Sequence, residues 1–301
     1  MFSRKNKLLL LKLLSLFSVV RGYNILMIVA AQYLASIYIL APDLPLREVV
    51  FDFNLFAIVL ASALVIAGGY IINNFYDAEK DLINKPTKSM LDRLVSQRFK
   101  LSTYFVLNFL AVFAASYVSF RAVLFFSIYI FGIWLYSHKL KRIAFIGNVV
   151  SAILAIAPFF AVFVHYKNFA TVIFVHAMFL FLLILVREMI KDLENIAGDL
   201  AQNYKTIPVL YGVRFSKRCI SVLILLTLLP SLLLINYFDV GYMYLYFIGC
   251  IFLLVLFLIM LWKAKTKLHY VGLHNILKLI IVVGVFSILL INVDLVLNRI
   301  L

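Results

Sequence analysis

The sequence predicts an all-α integral membrane protein of nine transmembrane helices, and three observations carry that reading. Of its 301 residues, 65% are hydrophobic and 14% charged, with a mean hydropathy of +1.08. That is more apolar side chain than a water-soluble core of this length encloses. Apolar stretches of about 20 residues, enough to cross ~30 Å of hydrocarbon at 1.5 Å per residue, recur along the whole chain. Lysine and arginine also alternate between successive connections, as a multi-span topology requires.

The elements follow in order. The first 20 residues join basic charge to the run LLLLKLLSLFSVV. Lys12 interrupts the run and no small-residue cleavage site follows, so about 5–20 reads as an interfacial amphipathic helix rather than a signal peptide. Spans are expected at roughly 22–41, 53–75, 101–119, 122–137, 143–164, 169–187, 219–237, 241–262 and 279–298. Between the third and fourth, only a tight turn fits at Ser119, Phe120 and Arg121. Five basic residues precede the first span, and the connections after spans two, four, six and eight carry most of the rest, together 24 of 28. The other four are Arg47, Arg121, Lys167 and Arg299. This alternation places the N-terminus in the cytoplasm and the C-terminus outside a cell membrane, with residues 1–301 as a single transmembrane domain. The net charge of +15 then reflects topology and attraction to anionic lipid. A nucleic-acid reading has no soluble domain or interleaved aromatic motif to stand on.

Acid is scarce and clustered. Of 13 Asp and Glu residues, seven fall in two short segments: Asp77, Glu79 and Asp81, then Glu188, Asp192, Glu194 and Asp199. Each segment follows an even-numbered span and so sits at its predicted cytoplasmic end. Asn73, Asp77 and Asp81 are four residues apart, which stacks an amide and two carboxylates on one helix face. Like charges at that spacing repel, and a divalent cation converts the repulsion into coordination. Oxygen donors without matching His or Cys favour Mg²⁺, which typically takes one or two carboxylates plus substrate phosphate. The second cluster repeats the logic with Glu188, Asp192 and Asn195 at helical steps, then Asp199. Four spans separate the two segments, as in a parallel internal repeat, so the two helices are expected to face each other across one shared site holding metal ions and a diphosphate.

NNFYDAEKDLINKPTK resembles the NDxxDxxxD signature of the UbiA superfamily of intramembrane prenyltransferases, and REMIKDLENIAGDLAQNYKTIPV resembles its second, Asp-rich signature. RGYN at residues 21–24 and WLYSHKLKRIAFIGN at 134–148 extend the resemblance over nearly the whole chain. It implies nine helices around a central cavity capped on the cytoplasmic side, and Mg²⁺-dependent transfer of a prenyl group from an isoprenyl diphosphate to an acceptor. By carry-over, Asn73, Asp77 and Asp81 hold one part of the metal cluster and Asp192 and Asp199 the other, the aspartates being the catalytic set. Active-site loops are expected at about 73–98 and 187–214. Asn24, Lys85, Lys141, Arg142 and Lys205 are the substrate-binding candidates, with Lys141 or Arg142, and Lys205, facing the diphosphate, while the prenyl tail lies among lipid-facing helices. Metal and cations stabilise the departing diphosphate as an allylic carbocation-like centre develops, which the acceptor attacks.

Three positions depart from the family pattern. Asn74 and Asn195 stand where many members have Asp, and Asn203 stands where Gly is frequent. The wording of the second motif is nearest to the branch that alkylates a prenylated glycerol phosphate, here with a geranylgeranyl group. The branches that prenylate hydroxybenzoate or dihydroxynaphthoate remain close. A cation-coupled transporter is the rival from another class, but it wants acids near mid-span, whereas Asp294 is the main acid within a span away from the two clusters. The five histidines have no paired-ligand spacing, and His269 with His274 is expected at a loop and interfacial helix. Cys219 and Cys250 read as small apolar fillers.

Overall fold

The computed structural model describes residues 15–293. Residues 15–20 are helical. The earlier part of the expected N-terminal helix, Asp294, the last residues of the expected ninth span and Arg299 lie outside the described residues.

Among the described residues, nine helices are long and apolar enough to cross a bilayer. They are α1 (Gly22–Leu40), α2 (Phe53–Tyr76), α3 (Gln97–Val118), α4 (Phe120–Arg142), α5 (Ile146–Tyr166), α6 (Thr171–Glu194), α7 (Ile207–Asn236), α8 (Gly241–Lys263) and α9 (Lys267–Leu290). Their starts follow local chemistry. The Asp52, Ser96, Ser119 and Thr266 side chains cap α2, α3, α4 and α9 by accepting backbone N–H bonds. Ser119 alone, in extended conformation, makes the tight turn between α3 and α4.

Two helices begin about 12 residues earlier than expected. α7 starts at Ile207, and non-helical backbone at Gly212 (φ 82°, ψ 166°) interrupts its first turns. α9 starts at Lys267, which moves His269, His274 and Lys278 into the helix and corrects their placement in a connection. Its early polar residues have partners: the Lys267 ammonium donates to the Asn84 carbonyl, and His274 Nδ1 lies 2.9 Å from Glu194 Oε2.

α2 and α6 form the centre. Of their apolar windows, 72% and 61% is buried, against at most 44% in any other helix. α2 packs on α3, α4 and α5, and α6 on α5, α7 and α9. One core joins α1 through α5 around Leu55, Ala61, Ala111 and Phe126, and a second joins α6 through α9 around Val186, Phe247, Leu254 and Leu277. Thus the two helices leading into the acidic motifs are the two most enclosed.

Backbone groups that cannot bond within a helix find partners across the bundle, since lipid offers none. Pro158 within α5 has no N–H for the Leu154 carbonyl, and the Tyr129 hydroxyl of α4 donates to it instead (3.0 Å). Gln32 donates to the Pro158 carbonyl (2.8 Å) and Ser62 Oγ (3.0 Å), tying α1, α2 and α5. Lys100 on α3 is 1% exposed, and its ammonium donates to Asn74 Oδ1 (2.9 Å), whose Nδ2 donates to Asp92 Oδ2 (2.9 Å). Lys100→Met is therefore expected to cost about 3 kcal/mol by leaving this network unpaired. A denaturant titration in detergent checks it, and wild-type stability would contradict it.

Candidate active site

The two acidic motifs share one local design. α2 ends where Asp77 leaves helical geometry (φ −91°, ψ 3°), and a short helix, Ala78–Asn84, follows. α6 ends where Asn195 does the same (φ −109°, ψ 11°), and Ile196–Ala201 follows. In the first motif the i to i+4 ladder survives the bend, with Asp77 N–H bonded to the Asn73 carbonyl (2.9 Å) and Asp81 N–H to that of Asp77 (2.8 Å). The expected stacking of the three side chains is thus bent at its middle member.

The short helices lock together through Asn84, which is 4% exposed. Its Oδ1 accepts from Gly198 N–H (3.1 Å) and its Nδ2 donates to the Asn195 carbonyl (3.4 Å). A Cβ at Gly198 would lie 2.3 Å from Asn84 Nδ2. Gly198→Ala must push that buried amide away, and with it the alignment of the two motifs. We expect a loss of turnover on the order of tenfold with little change in helix content, as misplacement of reacting groups costs rate steeply. Unchanged turnover would show that the clamp does not set the site.

Charge then joins the motifs. Asp77 is buried, and its Oδ1 receives Lys141 Nζ at 2.7 Å and the Tyr204 hydroxyl at 3.2 Å. Asn73 donates to Asp77 Oδ2 (3.0 Å) and accepts from Lys141 (3.1 Å). Lys80 lies between the motifs, 3.1 Å from Asp199 Oδ1 and 3.8 Å from Asp77 Oδ1. Asp199 is 1% exposed, and its Oδ2 accepts from Thr206 (3.3 Å). Burial alone would push the Asp77 carboxyl up, but Lys141 and Lys80 outweigh it and hold it at about 2. Asp199 is raised, because burial exceeds what Lys80 and Thr206 return. Burial acts against the Lys80 ammonium, yet Asp77 and Asp199 keep it above its ordinary value and so charged. Burial chiefly, then Asp77, lifts the Tyr204 phenol to about 12, so it stays a donor.

The other sequence candidates divide. Asp192 Oδ2 accepts from Asn148 Nδ2 at 2.7 Å and lies within electrostatic reach of Asp199. Asp81 is half-buried with no ion pair within 4 Å among the described residues, and it senses Lys85 and Lys88. Lys85 turns to Glu194 (3.9 Å) rather than to the aspartates. Arg142 lies over the Tyr204 ring, 5.1 Å from its centroid, and its carbonyl accepts from Lys205 N–H (2.9 Å). That backbone bond is what Lys205 brings to the loops, its side chain being exposed. Asn24 donates to the Tyr70 hydroxyl (3.0 Å), and Arg21 covers the same ring.

Of the departures, Asn74 faces away into the Lys100 and Asp92 network, and Asn195 donates to the Lys191 carbonyl (2.8 Å). Asn203 holds a left-handed backbone (φ 54°), which explains why Gly suits that position. Lys80, Asn84, Asn148 and Tyr204 are site residues the sequence reading passed over. Lys80 sits inside DAEKD, three residues after Asp77, and Asn148 ends the quoted WLYSHKLKRIAFIGN, so both left a signal; Asn84 and Tyr204 left none.

The donor set fits a hard divalent cation. Asp77, Asp199, Asp192 and Asn73 offer oxygen alone, and Asp199 Oδ1 is buried with the Lys80 ammonium as its one neighbouring partner among the described residues. No three His, Cys, Asp or Glu side chains among the described residues close a metal cage by themselves.

Comparison with known proteins agrees with this architecture. Residues 14–271 match the UbiA prenyltransferase family model. The digeranylgeranylglyceryl phosphate synthase of Thermococcus gammatolerans is 30% identical over 78% of this chain and 85% of its own length. That of Thermococcus sibiricus is 34% identical over 55% of this chain, an alignment spanning 59% of the relative. A UbiA homologue from Archaeoglobus fulgidus, solved with GPP and Mg²⁺, superposes with TM-score 0.68 at 14% identity, over 91% of this chain and 99% of that one. A structure described as digeranylgeranylglyceryl phosphate synthase superposes with TM-score 0.69 at 21% identity, over 92% and 97%. The chain is a multi-pass membrane protein and belongs to the UbiA prenyltransferase family.

Proposed function

We propose that the chain transfers a geranylgeranyl group from its diphosphate to geranylgeranylglyceryl phosphate, with Mg²⁺, at the cytoplasmic face of the cell membrane. The observation that carries the reading is Lys80 between Asp77 and Asp199, where two acidic motifs more than a hundred residues apart become one site. The relatives named as digeranylgeranylglyceryl phosphate synthases support the acceptor. The charge pattern supports the orientation, N-terminus inside and C-terminus outside.

Asp77, Asp81, Asp199, Asp192 and Asn73 would hold the metal, which when bound supplies positive charge to the leaving diphosphate. Lys141 and Lys80 already stand at the same carboxylates, so fixed cations border the place where the diphosphate leaves. Asn148 orients Asp192, Thr206 orients Asp199, and Tyr204 orients Asp77.

A surplus of cations favours a phosphorylated acceptor over an aromatic carboxylate. Lys278 of α9 lies within electrostatic reach of Arg21, Lys88 and Arg187, against the one carboxylate of Glu194. Burial first, then Arg21, lowers Lys88 from its ordinary value against the pull of Asp92 and Asp81, and a phosphate dianion beside it would favour its charged form. Purified protein given Mg²⁺, labelled geranylgeranyl diphosphate and two acceptors in parallel tests the reading. Labelled product is expected on geranylgeranylglyceryl phosphate, and product on dihydroxynaphthoate alone would move the enzyme to quinone synthesis.

A further inference from the structure

A cavity of about 770 Å³ opens between the outer face of Ile196–Ala201, the first turns of α7 and the junction of α8 with α9. Four cationic side chains line it, Arg214, Lys217, Lys265 and Lys267, against one carboxylate, Glu194. That carboxylate is already engaged, by His274 at 2.9 Å and Lys85 at 3.9 Å.

Lys217 is the telling residue. It is 7% exposed, its ammonium donates to the Ala264 carbonyl (2.6 Å), and no carboxylate among the described residues lies within ion-pair distance. Held by that carbonyl and by the Tyr270 ring, 5.8 Å from its centroid, the ammonium lacks only a counter-charge, which an anion from outside would supply. Arg214 and Lys265 are exposed and have no ion pair among the described residues, so their charge is free to join it.

The rest of the lining is apolar and turned to the surroundings: Leu200 is 56% exposed and Trp262 48%. Trp262 lies one residue before the end of α8, at the depth where tryptophan marks the boundary of hydrocarbon and headgroup. The non-helical turn at Gly212 directly precedes Val213 and Arg214, so the wall that carries them departs from the straight course of α7. A basic wall beside an apolar one at that depth is the chemistry that recognises a lipid phosphate.

We infer that this cavity binds an anionic phospholipid of the surrounding leaflet, with its phosphate among Arg214, Lys217 and Lys265 and its first acyl carbons over Leu200 and Trp262. The site stands apart from Asp77 and Asp199 and needs no assumption about the reaction. Bound lipid would press on the helix whose opposite side holds Gly198 against Asn84.

Native mass spectrometry of the whole protein released from nanodiscs tests the site, with phosphatidylglycerol titrated into phosphatidylcholine. Wild type is expected to retain one phosphatidylglycerol in preference to phosphatidylcholine, and Arg214→Ser with Lys265→Ser to weaken that retention on the order of tenfold. Arg214→Lys with Lys265→Arg keeps the charges and should retain it, which separates loss of the site from loss of the fold. Equal retention by wild type and the serine variant, or no preference between the lipids, would overturn the proposal. Displacement of the lipid by millimolar inorganic phosphate would overturn it too, as the mark of a free-phosphate site.

Discussion

Asp199→Asn is expected to lower prenyl transfer by about a thousandfold or more, the scale seen when charge opposite a reacting group is removed. The substitution keeps the shape of the side chain, so its amide oxygen can still meet Lys80 while its N–H₂ donates to the Thr206 hydroxyl. What disappears is the carboxylate charge of a side chain that is 1% exposed and whose pKa burial raises, a charge that a bound cation would favour. Asp77→Asn should cost as much, because Lys141, Lys80, Tyr204 and Asn73 all converge on that carboxylate. Circular dichroism and gel filtration in detergent should show both variants folded, since Lys80 retains one of its two acids in each. Near-normal turnover in the two variants would remove the site from this pair of motifs.

Chelation should have the other large effect. EDTA is expected to bring transfer to background, and Mg²⁺ to restore it. On the proposed reading, Asp77, Asp199, Asp192 and Asn73 would supply oxygen but no closed cage, so the diphosphate would complete the shell. Ca²⁺ should restore less, because it favours more ligands at longer distances than this donor set provides. The assay reads labelled product against added metal, and activity that survives EDTA would refute metal dependence. Lys80 gives a further reason for steep metal dependence. Its ammonium stays charged between Asp77 and Asp199 and competes with any ion entering there.

The sequence by itself determined the membrane class, the nine helices and the two acidic motifs. Those follow from properties summed along the chain: apolar length sets a span, and spacing of four sets which acids share a helix face. The same summing misplaced the start of α9. Lys267, His269, His274 and Lys278 dilute its first half, yet Lys267 and His274 are answered there by Asn84 and Glu194, from segments far away in the chain. Tertiary structure alone decided which acids meet. It set Lys80 between Asp77 and Asp199, fastened the two short helices through Asn84, and turned Lys85 to Glu194 rather than to the aspartates. Pairings of that kind rest on distances between residues tens to more than a hundred positions apart, which packing of α2 and α6 at the centre of the bundle fixes and local pattern does not encode.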